Sequence, residues 1–241
     1  MNFYESIADY YHHIFPLNRK HIDFIKKHTE NNAKKQLLDI GCGTGHLSYE
    51  LSSLFKLVDA VDLDSAMINT AKSNFSNKGL NFHELNMLHI ENKFGRSRFD
   101  SIISFGNTIV HLNSLYNIKE FFAQCRSVLK DEGSFIFQII NYDRILDEGI
   151  NVLSDIENDF VRFQRGYKLN GQLDMIEFNT SLLVKENDKL IENSINLFPI
   201  RKKDVDSLLR EVGFSKLDYF GDFMGAELMP DSIPMIVVCR P

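Results

Sequence analysis

One stretch constrains the chain more than any other: Leu37-Leu38-Asp39-Ile40-Gly41-Cys42-Gly43-Thr44-Gly45-His46-Leu47. Leu37, Leu38 and Ile40 make a short apolar run, as in a strand covered on both faces. Gly41, Gly43 and Gly45 follow, and Leu47, Leu51 and Leu54 then resume helical spacing. Glycine admits positive φ and, lacking a Cβ, lets a ligand lie against the backbone. The helix that begins there offers unpaired N–H groups to a polar or anionic ligand. Strand, glycine turn and helix start together predict an α/β fold with this strand inside the sheet.

Two nucleotide-type cofactors use such a turn. The dinucleotide fingerprint G-x-G-x-x-G has a third glycine that permits tight helix–strand packing. Here that position is His46, and the glycines run G-x-G-x-G behind Asp39. Asp39-x-Gly41-x-Gly43-x-Gly45 resembles motif I of the class I S-adenosylmethionine (SAM) methyltransferases. The resemblance implies a Rossmann-like, seven-stranded, mostly parallel sheet with strand 7 antiparallel. It also implies SAM as cofactor, S-adenosylhomocysteine as product, and cofactor contacts from Asp39, Gly41, Cys42, Gly43 and Gly45. Cys42 reads as packing in the turn rather than as a nucleophile.

Bulk properties agree with one α/β core plus an insertion in 241 residues. At 44% hydrophobic and 25% charged, the chain suits neither disorder nor a membrane span. The polar, aromatic N-terminus is unlike a signal peptide, and three scattered cysteines offer neither a disulfide set nor metal-ligand spacing. A cytoplasmic protein without a metal is therefore expected. A formal charge of −6 would repel nucleic acid, so the expected partner is a small soluble acceptor.

Residues 2–15 place Phe3, Ile7, Tyr10, Tyr11 and Ile14 on one face of an expected helix that Pro16 ends. Residues 1–30 are expected to form a helical cap. Tyr11 either covers the cofactor mouth, as a similar pattern does in small-molecule methyltransferases, or simply packs. His12 stands where that pattern commonly has Asp. A second helix over about 19–29 leads into strand 1, and a third is expected over 46–55. Strand 57–62 ends in Asp62, whose carboxylate can accept from both ribose hydroxyls, in NAD as in SAM. Val61-Asp62-Leu63-Asp64-Ser65-Ala66-Met67 resembles the family's V-D-x-S-x-x-M run. It implies that Leu63 and Met67 border the adenosine, with Met67 as plain core the alternative; Asp64 or Ser65 would cap helix 66–75. Strand 80–85 ends in Asn86-Met87, where the family commonly has Asp-Met. The Asn86 carbonyl can still accept from the adenine amino group, with the Met87 and Leu88 N–H groups as alternative contacts.

After strand 4 comes Phe105-Gly106-Asn107-Thr108-Ile109-Val110-His111-Leu112. This resembles the G-N-S-x-x-H-L of glycine/sarcosine-type N-methyltransferases. Phe105 would border the cofactor and Asn107 the acceptor; His111 either faces the pocket or fills a satisfied core position. Helix 114–130, a turn at Asp131-Glu132-Gly133 and strand 134–140 follow, ending in Asn141-Tyr142-Asp143-Arg144. Tyr142 and Arg144 are acceptor-binding candidates at that edge.

Residues 1–150 and 199–241 are expected to form the core, and 151–198 an antiparallel insertion of three segments (160–169, 173–185 and 189–198). The pair Asn170-Gly171 is a hairpin cue. Similar methyltransferases, sugar amino-methyltransferases among them, use such an insertion as a lid or homodimer surface. Arg162, Arg165 and Glu177 either line it or lie on a solvated face, with Arg165 the acceptor-binding candidate. A helix over 201–212, capped by Gly213, and strands near 215–220 and 234–240 complete the chain.

Transfer from a sulfonium needs no protein nucleophile. A neutral amine needs little base, a hydroxyl would need one, and His111 is the nearest by placement. Tyr11 could favour the sulfonium by cation–π attraction. The expected activity is methyl transfer to a small acceptor, an amine by the resemblance. The alternatives are an NAD-dependent oxidoreductase, which shares Asp62, and a SAM-binding protein without turnover.

Overall fold

The computed structural model describes residues 3–29, 33–169 and 174–241. The Asn170-Gly171 turn lies outside them. The chain opens with α1 (Phe3–Ile7), a 3₁₀ turn (Ala8–Tyr10) and α2 (Tyr11–Ile14) in place of one helix over 2–15. Aspartate, tyrosine and histidine are weak helix formers, so packing rather than propensity shapes this segment. Phe3, Ile7, Ala8 and Ile14 are buried against Met67 and the inner face of a second sheet.

The core alternates α3 (Arg19–His28), β1 (Gln36–Ile40), α4 (His46–Leu51), β2 (Leu57–Asp62), α5 (Ser65–Asn74), β3 (Leu80–Glu84), α6 (Ile90–Phe94), β4 (Phe99–Ser104), α7 (Leu115–Val128) and β5 (Leu129–Ile140). After β5 come α8 (Tyr142–Asp147), the strands β6 (Val152–Glu157), β7 (Val161–Leu169), β8 (Ile176–Val184) and β9 (Lys189–Leu197), then α9 (Lys202–Glu211), β10 (Lys216–Phe220) and β11 (Pro234–Arg240). The main sheet has seven strands in the order β10-β11-β5-β4-β1-β2-β3. β1 pairs in parallel with β2 and β4, and β11 runs antiparallel to both β5 and β10. This is the expected sheet, with its one reversed strand.

β1 lies near the middle, and Leu37, Leu38, Asp39 and Ile40 are all buried. The apolar run is there because both faces are covered. The chain leaves β1 toward β2 on one side and β4 toward β5 on the other. A crevice therefore opens beyond the carboxyl ends of β1 and β4, where such sheets bind ligands. Caps fix the helices around it. Asp64 Oδ1 accepts from the Ala66 and Met67 N–H groups at the start of α5, as expected. Ser114 Oγ accepts from the Asn117 N–H at α7.

Three local expectations are corrected. Asp131-Glu132-Gly133 is no separate turn: β5 starts at Leu129, and the extra residues form a bulge between the Phe99↔Leu129 and Ser101↔Ser134 pairs. The connector after Arg144 contains α8 and β6, so the insertion has four strands, not three. β6 was hidden because its inward residues, Leu153 and Ile156, break strict alternation at a bulge. α4 is shorter than 46–55, ending at Leu51.

The second sheet, ordered β6-β7-β8-β9, turns Val161, Phe163, Tyr167, Leu182 and Val184 inward. Its outer face is polar, with Arg162 on Asp155 and Lys185 on Glu157. Among the described residues, no helix is long and apolar enough to cross a membrane.

Candidate active site

Two adjoining cavities fill the crevice. The smaller, about 400 Å³, lies over the ends of β2 and β3, between Asp62, Leu63, Met67, Asn86 and Met87. The larger, about 680 Å³, lies over β1, β4 and β5 and extends to the second sheet, past Asp39, Phe105, Asn107, Arg165 and Tyr167. Tyr4, Tyr11, Gly41, Gly106 and His111 border both, so these residues mark the passage between them. The helices α1 and α2 form the roof.

The glycine loop is shaped by what presses on it. A Cβ on Gly41, at φ +77°, would run into the Thr108 side chain. A Cβ on Gly43 would come within 3.0 Å of the Tyr11 ring. Neither position tolerates a side chain while Thr108 and Tyr11 stay in place. Gly45 borders neither cavity; it is the left-handed N-cap residue of α4. Cys42 borders the larger cavity, and burial pushes its thiol well up, which keeps it protonated and unreactive.

Asp62 braces the loop. Its Oδ2 accepts from the Gly43 N–H at 2.9 Å and its Oδ1 from the Asp64 N–H at 3.0 Å. Burial raises its pKa, and those two N–H groups oppose the rise. Each carboxylate oxygen keeps a further lone pair for a ligand. Asp39 is 3% exposed and accepts from Ser48 Oγ at 2.5 Å. Burial pushes its carboxyl up to about 7, Ser48 pulls it down, and the Asp62 charge adds to the rise. A cation arriving beside it would favour the ionised form.

His111 differs from the expected base. Its Nε2 lies 2.8 Å from the Tyr4 hydroxyl. Burial holds the Tyr4 phenol protonated and pushes His111 down to about 4. Tyr4 therefore donates, Nε2 accepts, and the neutral ring carries its proton on Nδ1. An imidazole so placed is occupied and weakly basic. No local pattern announces this pair, because Tyr4 and His111 are 107 positions apart.

The remaining candidates divide. Asn107, left-handed at φ 67°, is locked: its Oδ1 accepts from the Ile140 N–H and its Nδ2 donates to Tyr142 Oη at 2.9 Å. Tyr142 is wholly buried and borders neither cavity. It holds Asn107 instead of facing a ligand. Arg144 also lies outside the cavities, beside Glu148. Arg162 and Glu177 lie on the outer face of the second sheet, paired with Asp155 and Lys168. Arg165 turns inward to the larger cavity. Asn86 Oδ1 accepts from the Leu88 N–H, which uses one of its carbonyl lone pairs and leaves the other. Tyr4, His21, Gln138, Tyr167 and Phe178 also border the larger cavity and were not anticipated. Among the described residues there is no cluster of three or more ligating side chains for a metal.

The loop backbone, the braced carboxylate and the apolar slot at Met67 suit an adenosine with its ribose at Asp62. The passage at Gly41 suits a sulfonium, and the wider chamber suits an acceptor. Comparison with known proteins settles the family. Residues 31–212 match the model of the family described as "Methyltransferase domain". A glycine/sarcosine N-methyltransferase from Aphanothece halophytica is 31% identical over 204 residues, covering 83% of this chain and 73% of that protein. The chain belongs to the SAM-dependent methyltransferases. Among solved structures, a SAM-dependent methyltransferase from Clostridium acetobutylicum superposes with a TM-score of 0.80 at 20% identity, over 99% of both chains. SAM-bound CalS10, an amino pentose methyltransferase from Micromonospora echinaspora, gives 0.63 at 16% identity over 99% of this chain and 90% of that one. At these identities the two structures speak for the shared fold.

Proposed function

We propose that this protein moves a methyl group from SAM to the nitrogen of a small amine. The observation that carries the reading is the pair of joined cavities, one shaped for adenosine and one for an acceptor, meeting at Gly41 and Gly106. The relative named above, a glycine/sarcosine N-methyltransferase, supports nitrogen as the target.

When bound, SAM supplies a methyl already activated by its positive sulfur. The protein's own part is to bind, orient and exclude water. Asp62, which braces Gly43, would accept from the ribose hydroxyls. Leu63, Met67, Asn86 and Met87 would enclose the base. Gly41, Cys42, Gly43 and Phe105 would admit the methionine end, with Gly45 starting α4 at that turn. Asp39 would offer negative charge to the sulfonium. Tyr11 closes the roof over Gly43. Asn107, held by Tyr142, lines the acceptor chamber. Orientation of this kind is worth roughly 7–11 kcal/mol.

His111 acts as a neutral wall of the passage. With its pKa near 4 and Nε2 bonded to Tyr4, it supplies no base at neutral pH. An amine suits such a site, since its proton can leave to solvent after transfer. A dimer through the insertion would have to use the polar outer face of β6–β9 or one of its edge strands, β6 or β9.

The test is calorimetric titration with SAM and with S-adenosylhomocysteine, followed by assay of S-adenosylhomocysteine release with a panel of amines and alcohols. Binding of both and turnover with amines alone is the expected result. Binding without turnover on any acceptor would leave a SAM-binding protein, and binding of NAD in their place would end the reading.

A further inference from the structure

Arg165 is an unusual residue for the place it occupies. Side chains alternate along β7, and Val161, Phe163, Arg165 and Tyr167 share its inward face. Three of the four are buried apolar or aromatic residues. The guanidinium is thus directed into the larger cavity from an otherwise apolar wall. Its Nη2 donates to the Ser154 carbonyl at 2.7 Å, and its buried Nε has no acceptor. No carboxylate among the described residues forms an ion pair with it. The nearby Asp155 is taken by Arg162 and Gln164. Among the described residues, Asp39 is the one acid bordering the cavity, and it is bonded to Ser48. Asp155 attracts Arg165 only from a distance, and a half-buried cation with no direct ion pair and incomplete hydrogen bonding is costly unless something completes it.

The shape of the chamber adds a second constraint. About 680 Å³ exceeds what the methionine end of the cofactor and a free amino acid as small as glycine would fill. Much of the wall is apolar, with Phe15, Leu153, Phe163 and Phe178 on it, while Arg19 and Gln138 add polar groups elsewhere on the rim. A very small polar acceptor would leave those walls against water.

We propose that the acceptor is an amine on an apolar or aromatic body that also bears an anionic group, carboxylate or phosphate, which Arg165 binds through the N–H donors of its terminal Nη1 and Nη2. This rests on the methyltransferase reading and narrows it. Arg165 would act as a specificity-determining residue, setting which molecule presents its nitrogen at the Gly41–Gly106 passage. The planar guanidinium can meet two oxygens at once, which an ammonium cannot.

The experiment uses the full chain in two stages. SAM affinity is measured first; its absence would overturn the methyltransferase reading itself. The protein saturated with S-adenosylhomocysteine is then titrated with glycine, tyramine, tyrosine and O-phosphotyramine. Tyramine has the body without the anion, glycine the anion without the body, and the last two separate carboxylate from phosphate. At least one of the last two should bind about 10- to 100-fold more tightly than tyramine and glycine, the scale of a charge-assisted pair. Arg165→Gln should erase that preference, and Arg165→Lys, which keeps the charge, should restore part of it. Circular dichroism of both variants separates loss of binding from loss of fold. Equal affinity for all four probes, none binding included, overturns the proposal. So does a preference unchanged in a folded Arg165→Gln protein.

Discussion

At the scale of single residues, the same group often serves the fold and the site together. Asp62 braces Gly43 and Asp64 while facing the smaller cavity. Asp62→Ala should weaken SAM binding by about 1.5–3 kcal/mol, the worth of charge-assisted hydrogen bonds. Titration calorimetry reads this directly, and unchanged affinity would remove Asp62 from the ribose. His111→Ala should lower turnover more than SAM affinity. Because the native ring is neutral well above pH 4, kcat in wild type should show no inflection from it between pH 6 and 8. An inflection there that the variant lacks would restore His111 as a base. Asp62 could be picked out by its place at the end of the second strand, and Met67 only through the resemblance of its run to the family's pattern. Tyr4 could not. Its meaning depends on a partner brought near by the fold, and a lone tyrosine in an amphipathic segment looks like packing.

At the scale of elements, the loop between β1 and α4 holds its shape through neighbours on other elements. Gly41→Ala would force a side chain into positive φ and against Thr108, whose hydroxyl donates to the Phe105 carbonyl. A cost of about 2–3 kcal/mol follows from backbone strain and overpacking. The melting temperature should fall by roughly 4–12 °C, visible by scanning calorimetry. Under the sheet, β2 carries a buried Asp59 that accepts from His83, Asn81 and Arg98. Those partners hold its pKa down against burial. Asp59→Ala would leave Arg98 and His83 facing a vacated acceptor, a loss of about 3 kcal/mol for broken partly buried pairs, measured by urea denaturation. The alternation of β1, α4, β2 and α5 was legible because each element carries its own apolar pattern, with the glycine turn before α4 and the Asp64 cap before α5. β6 and α8 were not, because a bulge and a short helix leave too few repeats to count.

At the scale of the whole molecule, the crevice is closed by pieces distant in sequence: α1 and α2 above, the β6–β9 sheet to one side, β1 and β4 beneath. A cofactor that binds there should stabilise the assembly, by about 2.7 kcal/mol at a hundredfold excess over its dissociation constant. pH should modulate this through Asp39. Its folded pKa, near 7, lies above the ordinary carboxyl value of 3.8, so its contribution to stability is present below about pH 4 and lost as pH rises to 7. A sulfonium reverses the preference by favouring the carboxylate. The advantage of SAM over S-adenosylhomocysteine should therefore grow between pH 6 and 8, and SAM binding near pH 6.5 should release protons. Calorimetry in buffers of different ionisation enthalpy checks both, and a flat advantage would place Asp39 away from the sulfur. The strand-turn-helix, the order of core elements and the acid at the end of β2 follow from local pattern, because each is written within a few neighbouring residues, and the cofactor class follows from the resemblance that the glycine turn carries. The neutral state of His111, the burial of Tyr142 behind Asn107 and the inward turn of Arg165 follow only from the folded chain. Each is set by what a distant segment places beside it, and burial and partner, not residue type, decide what a side chain can do.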